Sequence, residues 1–148
     1  MKISTKVECG IIALIDIALY AKGGDFVKVN AISKRNNISA KYLEQILPLL
    51  KQSNLINSVK GAGGGYVLAK RSEDISLNEI VNALDNTIFA ASTFNDKLES
   101  NATTAISECL WQPVTDYLQD FSKNLSLKAL TDKYNELNSD QQELMYYI

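Results

Sequence analysis

The stretch LINSVKGAGGGYVLAK, residues 55–70, constrains the fold more than any other part of the chain. Four of the seven glycines fall within residues 61–65, and no helix runs through so many in so short a space. Ile56-Asn57-Ser58-Val59 on one side and Tyr66-Val67-Leu68 on the other are β-prone runs, so the segment reads as a hairpin with a glycine tip. A phosphate-cradling loop is the rival reading, and it fails on spacing. Counting a Walker A pattern from Gly61 puts Tyr66 at the second glycine and Val67 at the lysine; the dinucleotide pattern fails at the same tyrosine. Both motifs also open a helix, whose amino end holds the phosphate, whereas this loop leads into a strand.

Upstream, helical periodicity dominates. Val7, Ile11, Leu14, Ile15, Ala18 and Leu19 make one apolar stripe over residues 6–22, with Thr5 as N-cap, Glu8 at the capping-box position and Gly23-Gly24 as terminator. Val29, Ile32 and Ser33 suggest a short second helix that stops at Asn36-Asn37. Ser39 then caps a third helix, residues 39–52. Leu43, Leu47 and Leu50 share one face, with Tyr42, Ile46 and Leu49 beside them, while Lys41, Glu44, Gln45, Lys51 and Gln52 point outwards. Pro48 either kinks this helix or confines its useful part to the first two turns.

Three helices followed by a hairpin is the order of a winged helix-turn-helix, with the second and third helices as the helix-turn-helix and the hairpin as the wing. The charge distribution agrees. Net charge is only −2, yet residues 1–71 hold eleven Lys+Arg against four Asp+Glu, or +7, and residues 72–148 hold four against thirteen, or −9. A basic half joined to an acidic half suggests a nucleic-acid-binding module carrying a second module. Ser39, Ala40, Lys41, Glu44 and Gln45, at the start of the third helix, are the candidates for base edges. Gln45 suits adenine and Lys41 suits guanine or phosphate; Glu44 suits cytosine, or acts as a repulsive filter. In the wing, Lys60 neutralises a phosphate or enters the minor groove, and the glycines let the tip turn and come close to the backbone. Lys2, Ser4, Thr5 and Lys6 complete the candidate DNA-binding set.

Downstream, Ser76 with Glu79 forms a capping box ahead of Ile80, Val81 and Leu84, and residues 86–103 read as a linker with one helical turn. A long helix follows over residues 104–124, with Ile106, Leu110, Val114, Tyr117, Leu118 and Phe121 close to heptad spacing. Ser126 caps a further helix and Ser139, with Gln142, starts a last one. The division is therefore a DNA-binding domain over residues 1–85, a linker over 86–103 and a helical dimerisation and tail region over 104–148. No histidine occurs, which removes Ser-His-Asp and Cys-His catalysis, so an enzyme is not expected. The composition, 46 % hydrophobic, is that of a globular protein. No apolar run long enough to span a bilayer and no signal peptide is evident, so a soluble cytoplasmic protein is expected. The two cysteines, Cys9 and Cys109, are read as free thiols.

Three phrases together, MKISTKVECGIIALIDIALY, ISAKYLEQILPLL and INSVKGAGGGYVLA, resemble the IscR/CymR (Rrf-two) family of bacterial transcriptional regulators. The likeness spans residues 1–84, and the long helix with Leu110-Trp111 and LSLKAL at residues 125–130 fits the family's second half. The resemblance implies a homodimer on a palindromic operator, with the long helix as dimer interface. It also implies DNA contacts at Ser39, Lys41, Tyr42, Gln45 and the wing from Lys60 through Gly61, Gly63, Gly64 and Gly65 to Tyr66. The IscR-like branch holds an iron–sulfur cluster through three closely spaced cysteines. Here residues 86–108 contain none, Ala105 stands where the last ligand is expected, and two separated thiols do not supply four ligands. No cofactor is expected. The chain looks more like the cluster-free CymR-type repressors of cysteine metabolism, whose tails are similar to QQELMYYI. That branch works with cysteine synthase (O-acetylserine thiol-lyase), which implies a partner-binding tail of Tyr146, Tyr147 and Ile148 and, as an alternative function, a protein-interaction subunit that occupies the enzyme through Ile148; the structural alternative is that Met145, Tyr146 and Ile148 pack on the dimer. A redox role for Cys9 or Cys109 is a further alternative, with core packing favoured for Cys9.

Overall fold

The computed structural model describes residues 2–90 and 99–147. Its elements are α1 (Thr5–Tyr20), α2 (Val29–Asn36), α3 (Ala40–Gln52), β1 (Ile56–Val59), β2 (Gly65–Leu68), α4 (Leu77–Leu84), α5 (Asn101–Ile106), α6 (Gln112–Asn124) and α7 (Leu127–Tyr146). A short 3-10 turn at Ser72–Asp74 precedes α4, and a π-helical turn at Ser107–Trp111 joins α5 to α6.

Serines start most of the helices, because a side-chain oxygen satisfies an amide that the first turn leaves without a partner. The cap of α1 is Ser4, whose hydroxyl accepts from the Val7 N–H at 3.3 Å, and not Thr5, which is the first helical residue; Glu8 is therefore out of capping-box register. The buried stripe of α1 is also rotated from the expected one. Val7, Gly10, Ala13, Leu14 and Ile17 are enclosed, and Ile11, Ile15, Ala18 and Leu19 flank them half-buried. The cause is packing, since a Cβ on Gly10 would overlap the Leu84 side chain of α4. A smooth, small-residue face is the one a neighbouring helix can approach most closely.

α2 ends at Asn37, in the left-handed conformation (φ 53°), and α3 follows under the Ser39 cap, which accepts from the Tyr42 N–H at 3.3 Å. Leu43, Ile46, Leu47 and Leu50 are fully buried; the helix continues through Pro48, which is exposed. β1 and β2 pair antiparallel from Ile56↔Leu68 to Val59↔Gly65. Val27 adds a rudimentary third strand through N–H to carbonyl bonds of 2.9 and 2.8 Å with Tyr66.

The expected capping box at Ser76 and Glu79 is present. Beside it, Leu77 N–H donates to the Leu125 carbonyl and Leu127 N–H to the Ile75 carbonyl, both at 2.8 Å. The caps of α4 and α7, Ser76 and Ser126, thus sit side by side, and Leu127 enters the same hydrophobic core as α1, α3 and α4.

The expected linker falls partly on residues 91–98, outside the described residues. The helix after it starts earlier than expected, at Asn101 under a Ser100 cap shared with Thr103. Its π-helical turn lies just ahead of Pro113, which has no N–H for the Cys109 carbonyl and crowds it, so the turn widens. No break occurs at Ser139. α7 is one helix of 20 residues, and the Ser139 hydroxyl donates to the Asn135 carbonyl at 3.0 Å, which lets a serine sit mid-helix. Among the described residues no helix is long and apolar enough to cross a membrane.

Candidate nucleic-acid interface

Burying four apolar residues of α3 leaves its other side in solvent. Lys41, Glu44 and Gln45 are exposed at i, i+3 and i+4, a single row along the first two turns of the helix. Ala40 is half-buried, and Ser39 is exposed with its hydroxyl engaged in the cap. Tyr42 is half-buried against the core. Among the described residues neither Lys41, Glu44 nor Lys60 takes part in an ion pair, so their charges remain available to a ligand. The row carries donors and acceptors suited to base edges on a rod that fits a major groove.

The wing is held to the same body, because α3 packs against β1 and Tyr66 of β2 is pinned to Val27. Lys60 is exposed at its tip. The glycines there have different tasks. Gly61 (φ +107°) makes the turn, accepting from the Gly64 N–H at 3.1 Å, and Gly63 faces open space. Gly64 and Gly65 are required by the protein's own packing: a Cβ on Gly64 would strike the Val59 carbonyl, and one on Gly65 would lie 2.5 Å from the Val27 oxygen. Tyr66 is half-buried against the core and roots the wing. At the start of the chain Lys2, Thr5 and Lys6 are exposed and Ser4 is spent on its cap. Lys6 lies near Asp85, whose carboxyl is held below its usual range by the Thr87 hydroxyl and N–H, with Lys6 adding to the effect.

One further cluster, beside Tyr134 of α7, has no signal in the sequence beyond an acid interrupting an apolar run. Asp16 of α1 is only 3 % exposed. Arg35 of α2 grips it through both carboxylate oxygens, Nε to Oδ2 at 2.9 Å and Nη2 to Oδ1 at 2.7 Å. Asn36 adds a third bond at 2.8 Å, and the guanidinium stacks 3.9 Å over the Tyr20 ring. The hydrogen bond to Asp16 pushes the Arg35 pKa further up.

The second half of the chain presents a different surface. Ile106, Leu110, Val114, Tyr117 and Phe121 are 43–70 % exposed along α5, the π-helical turn and α6, and Trp111, absent from the expected seam, is exposed on the same turn as Leu110. Leu118 departs from the seam and packs half-buried on the core. Tyr146 and Tyr147 are 94 % and 90 % exposed at the end of α7; Ile148 lies outside the described residues.

Ligands suited to an iron–sulfur cluster are scarce, with two cysteines and no histidine. Cys9 packs against the core, where burial and then Glu8 push its thiol pKa up; Cys109 is exposed on the π-helical turn. No group of three or more His, Cys, Asp or Glu is placed to hold a metal among the described residues. Two thiols on separate elements and no histidine do not fit an iron–sulfur cluster.

A family model described as "Iron-dependent Transcriptional regulator", Rrf2, matches residues 3–133. The transcriptional regulator IscR of Pectobacterium atrosepticum is 31 % identical over 97 % of this chain and 87 % of its own length. Among solved structures, CymR of B. subtilis, described as the global cysteine regulator, superposes with a TM-score of 0.75 at 29 % identity, covering 90 % of this chain and 98 % of that one. The oxidised form of Staphylococcus aureus CymR gives 0.69 at 34 %, covering 88 % and 96 %. With its three-helix head, glycine-tipped wing and capped carboxy-terminal helices matched along most of its length to these regulators, the chain belongs to the Rrf2 family of helix-turn-helix transcriptional regulators, which are not enzymes.

Proposed function

We propose that this protein is a homodimeric repressor of cysteine or sulfur metabolism genes that binds a palindromic operator without an iron–sulfur cluster. The observation that carries the DNA-binding part is the unpaired, exposed row of Lys41, Glu44 and Gln45 on a helix that packs against the first strand of the Lys60 wing. In this reading the row enters the major groove, Lys60 and the Gly61–Gly63 tip approach the backbone or minor groove, and Lys2, Thr5 and Lys6 add phosphate contacts. Residues 1–85 supply the DNA-binding unit and residues 104–148 the dimerisation and tail region. The exposed apolar face of α5 and α6 supports the dimer, since a run of aromatic and branched side chains in water marks an association surface. The cysteine-metabolism assignment is supported by a set of two thiols and no imidazole, too small for an iron–sulfur cluster, and by the likeness to two CymR proteins.

The test is selection of bound duplexes from a random library, with the mass of the protein measured by light scattering. Enrichment of a two-fold symmetric sequence by a dimer is expected; a monomer indifferent to DNA overturns the reading. Transcript levels of sulfur-assimilation genes in a deletion strain decide the regulon.

The exposed Tyr146 and Tyr147 favour a second activity, docking of the tail into cysteine synthase, where aromatic side chains fill an apolar pocket of the enzyme. Deleting residues 146–148 is expected to abolish co-elution with that enzyme and to leave operator binding unchanged. Co-elution that persists assigns the contact elsewhere.

A further inference from the structure

We infer that Asp16 is a positioning residue for DNA recognition: its clamp on Arg35 and Asn36 sets the angle at which the recognition helix leaves the body of the protein. This rests on the DNA-binding reading above.

The clamp lies at a hinge. Arg35 and Asn36 are the last two residues of α2; Asn37 turns the chain through the left-handed region, and Ser39 caps α3. A displacement of the last turn of α2 is passed to Lys41, Glu44 and Gln45 through only three intervening residues, 37–39. The clamp allows one orientation. The planar guanidinium has its fork on Asp16 and its face on Tyr20, so both its in-plane and out-of-plane rotations are defined by α1. Asn36 is held twice, by Asp16 and by the Ile32 carbonyl at 2.9 Å. Every oxygen of the buried carboxylate is occupied.

Stability alone does not account for such a cluster. Desolvating an ion pair consumes most of its attraction, and well-packed apolar side chains of similar size serve a core as well or better. The property an apolar replacement lacks is direction. A bidentate pair between two helices fixes register where leucine and methionine slide, and base readout by Gln45 needs hydrogen-bond geometry that tolerates little displacement.

The experiment compares affinity for the selected operator with affinity for a random duplex at one salt concentration, in wild type, Arg35→Lys and the double variant Asp16→Leu/Arg35→Met. Loss of folded protein lowers both affinities equally and leaves their ratio unchanged, so the ratio reports position. Arg35→Lys keeps the charge and loses the fork; its operator affinity is expected to fall about tenfold, the size of one misread base pair, with random-duplex binding within about twofold of wild type. The double variant is expected to melt near wild type with the ratio still reduced. A full ratio in either folded variant overturns the role, and so does failure of both to fold, which would make the clamp a stability element. Wild type that enriches no sequence overturns the DNA reading and this role with it.

Discussion

α3 and α6 are both helices of 13 residues with one apolar and one polar face, yet the protein uses them in opposite ways. α3 buries Leu43, Ile46, Leu47 and Leu50 completely and shows solvent its Lys41, Glu44 and Gln45. α6 encloses only Ser122 and leaves Val114, Tyr117 and Phe121 in water. An amphipathic pattern says that a helix has an apolar face to cover, and says nothing of whether its own chain covers it. Where the chain does, as in α3, the polar face is left for function. Where it does not, as in α6, the apolar face is left for a partner to cover, which the proposed dimer would supply.

The contrast breaks first at Leu47. Leu47→Ala is expected to destabilise the protomer by ~2–5 kcal/mol, a cavity cost measured as a shift in urea midpoint. If the loss is under ~1 kcal/mol, α3 is not a core helix. The counterpart is Val114→Asp with Tyr117→Asp, which should weaken self-association about 100-fold, near 3 kcal/mol, while far-UV circular dichroism stays unchanged. Halved mass by light scattering is the readout; an unaltered mass removes α6 from the interface.

The polar face of α3 is tested by Gln45→Ala, expected to relax preference at one base position by ~1–3 kcal/mol in a repeated selection. Lys60→Ala should instead weaken binding to every sequence and reduce the salt slope by about 0.9. Identical salt slopes would take the wing off the phosphates.

The smallest effect concerns the joint between the halves. Glu79 is subject to burial, which raises its pKa, but the Lys70 ammonium at 2.5 Å and the Ser76 N–H at 2.9 Å outweigh it and hold the carboxyl below its ordinary value of 4.5. A depressed carboxylate contributes stability above its unfolded pKa and loses it as pH falls through the folded one. Stability should therefore decline as the solution is acidified below about pH 4.5, and Glu79→Gln should flatten that limb. At neutral pH Ser76→Ala should cost ~1 kcal/mol through the lost cap.

Much of this architecture was legible because it is local. The Ser39, Ser76 and Ser126 caps, the stripe of α3 and the strands flanking the glycines depend on residues two to four positions apart, and each lies where its pattern predicts. The misreadings have equally local causes. Ser4 and Thr5 are adjacent and both competent caps, so register alone cannot choose between them; Ser139 resembles a cap and is a mid-helix serine whose hydroxyl is satisfied by Asn135. The buried face of α1 is hidden from the pattern because Gly10 and Ala13 carry too little side chain to register as core.

What the amino-acid order determined by itself is the set of elements, their succession and the segregation of charge, since periodicity, capping and turn chemistry act between near neighbours. Tertiary structure decided the rest: that Asp16 meets Arg35 nineteen positions away, that Gly65 is pressed on Val27, and that the caps of α4 and α7 pair across the molecule. It also decided that Leu118 turns inwards from a seam whose other members face water. These depend on which surfaces are brought together, and a linear pattern records only that a surface needs covering.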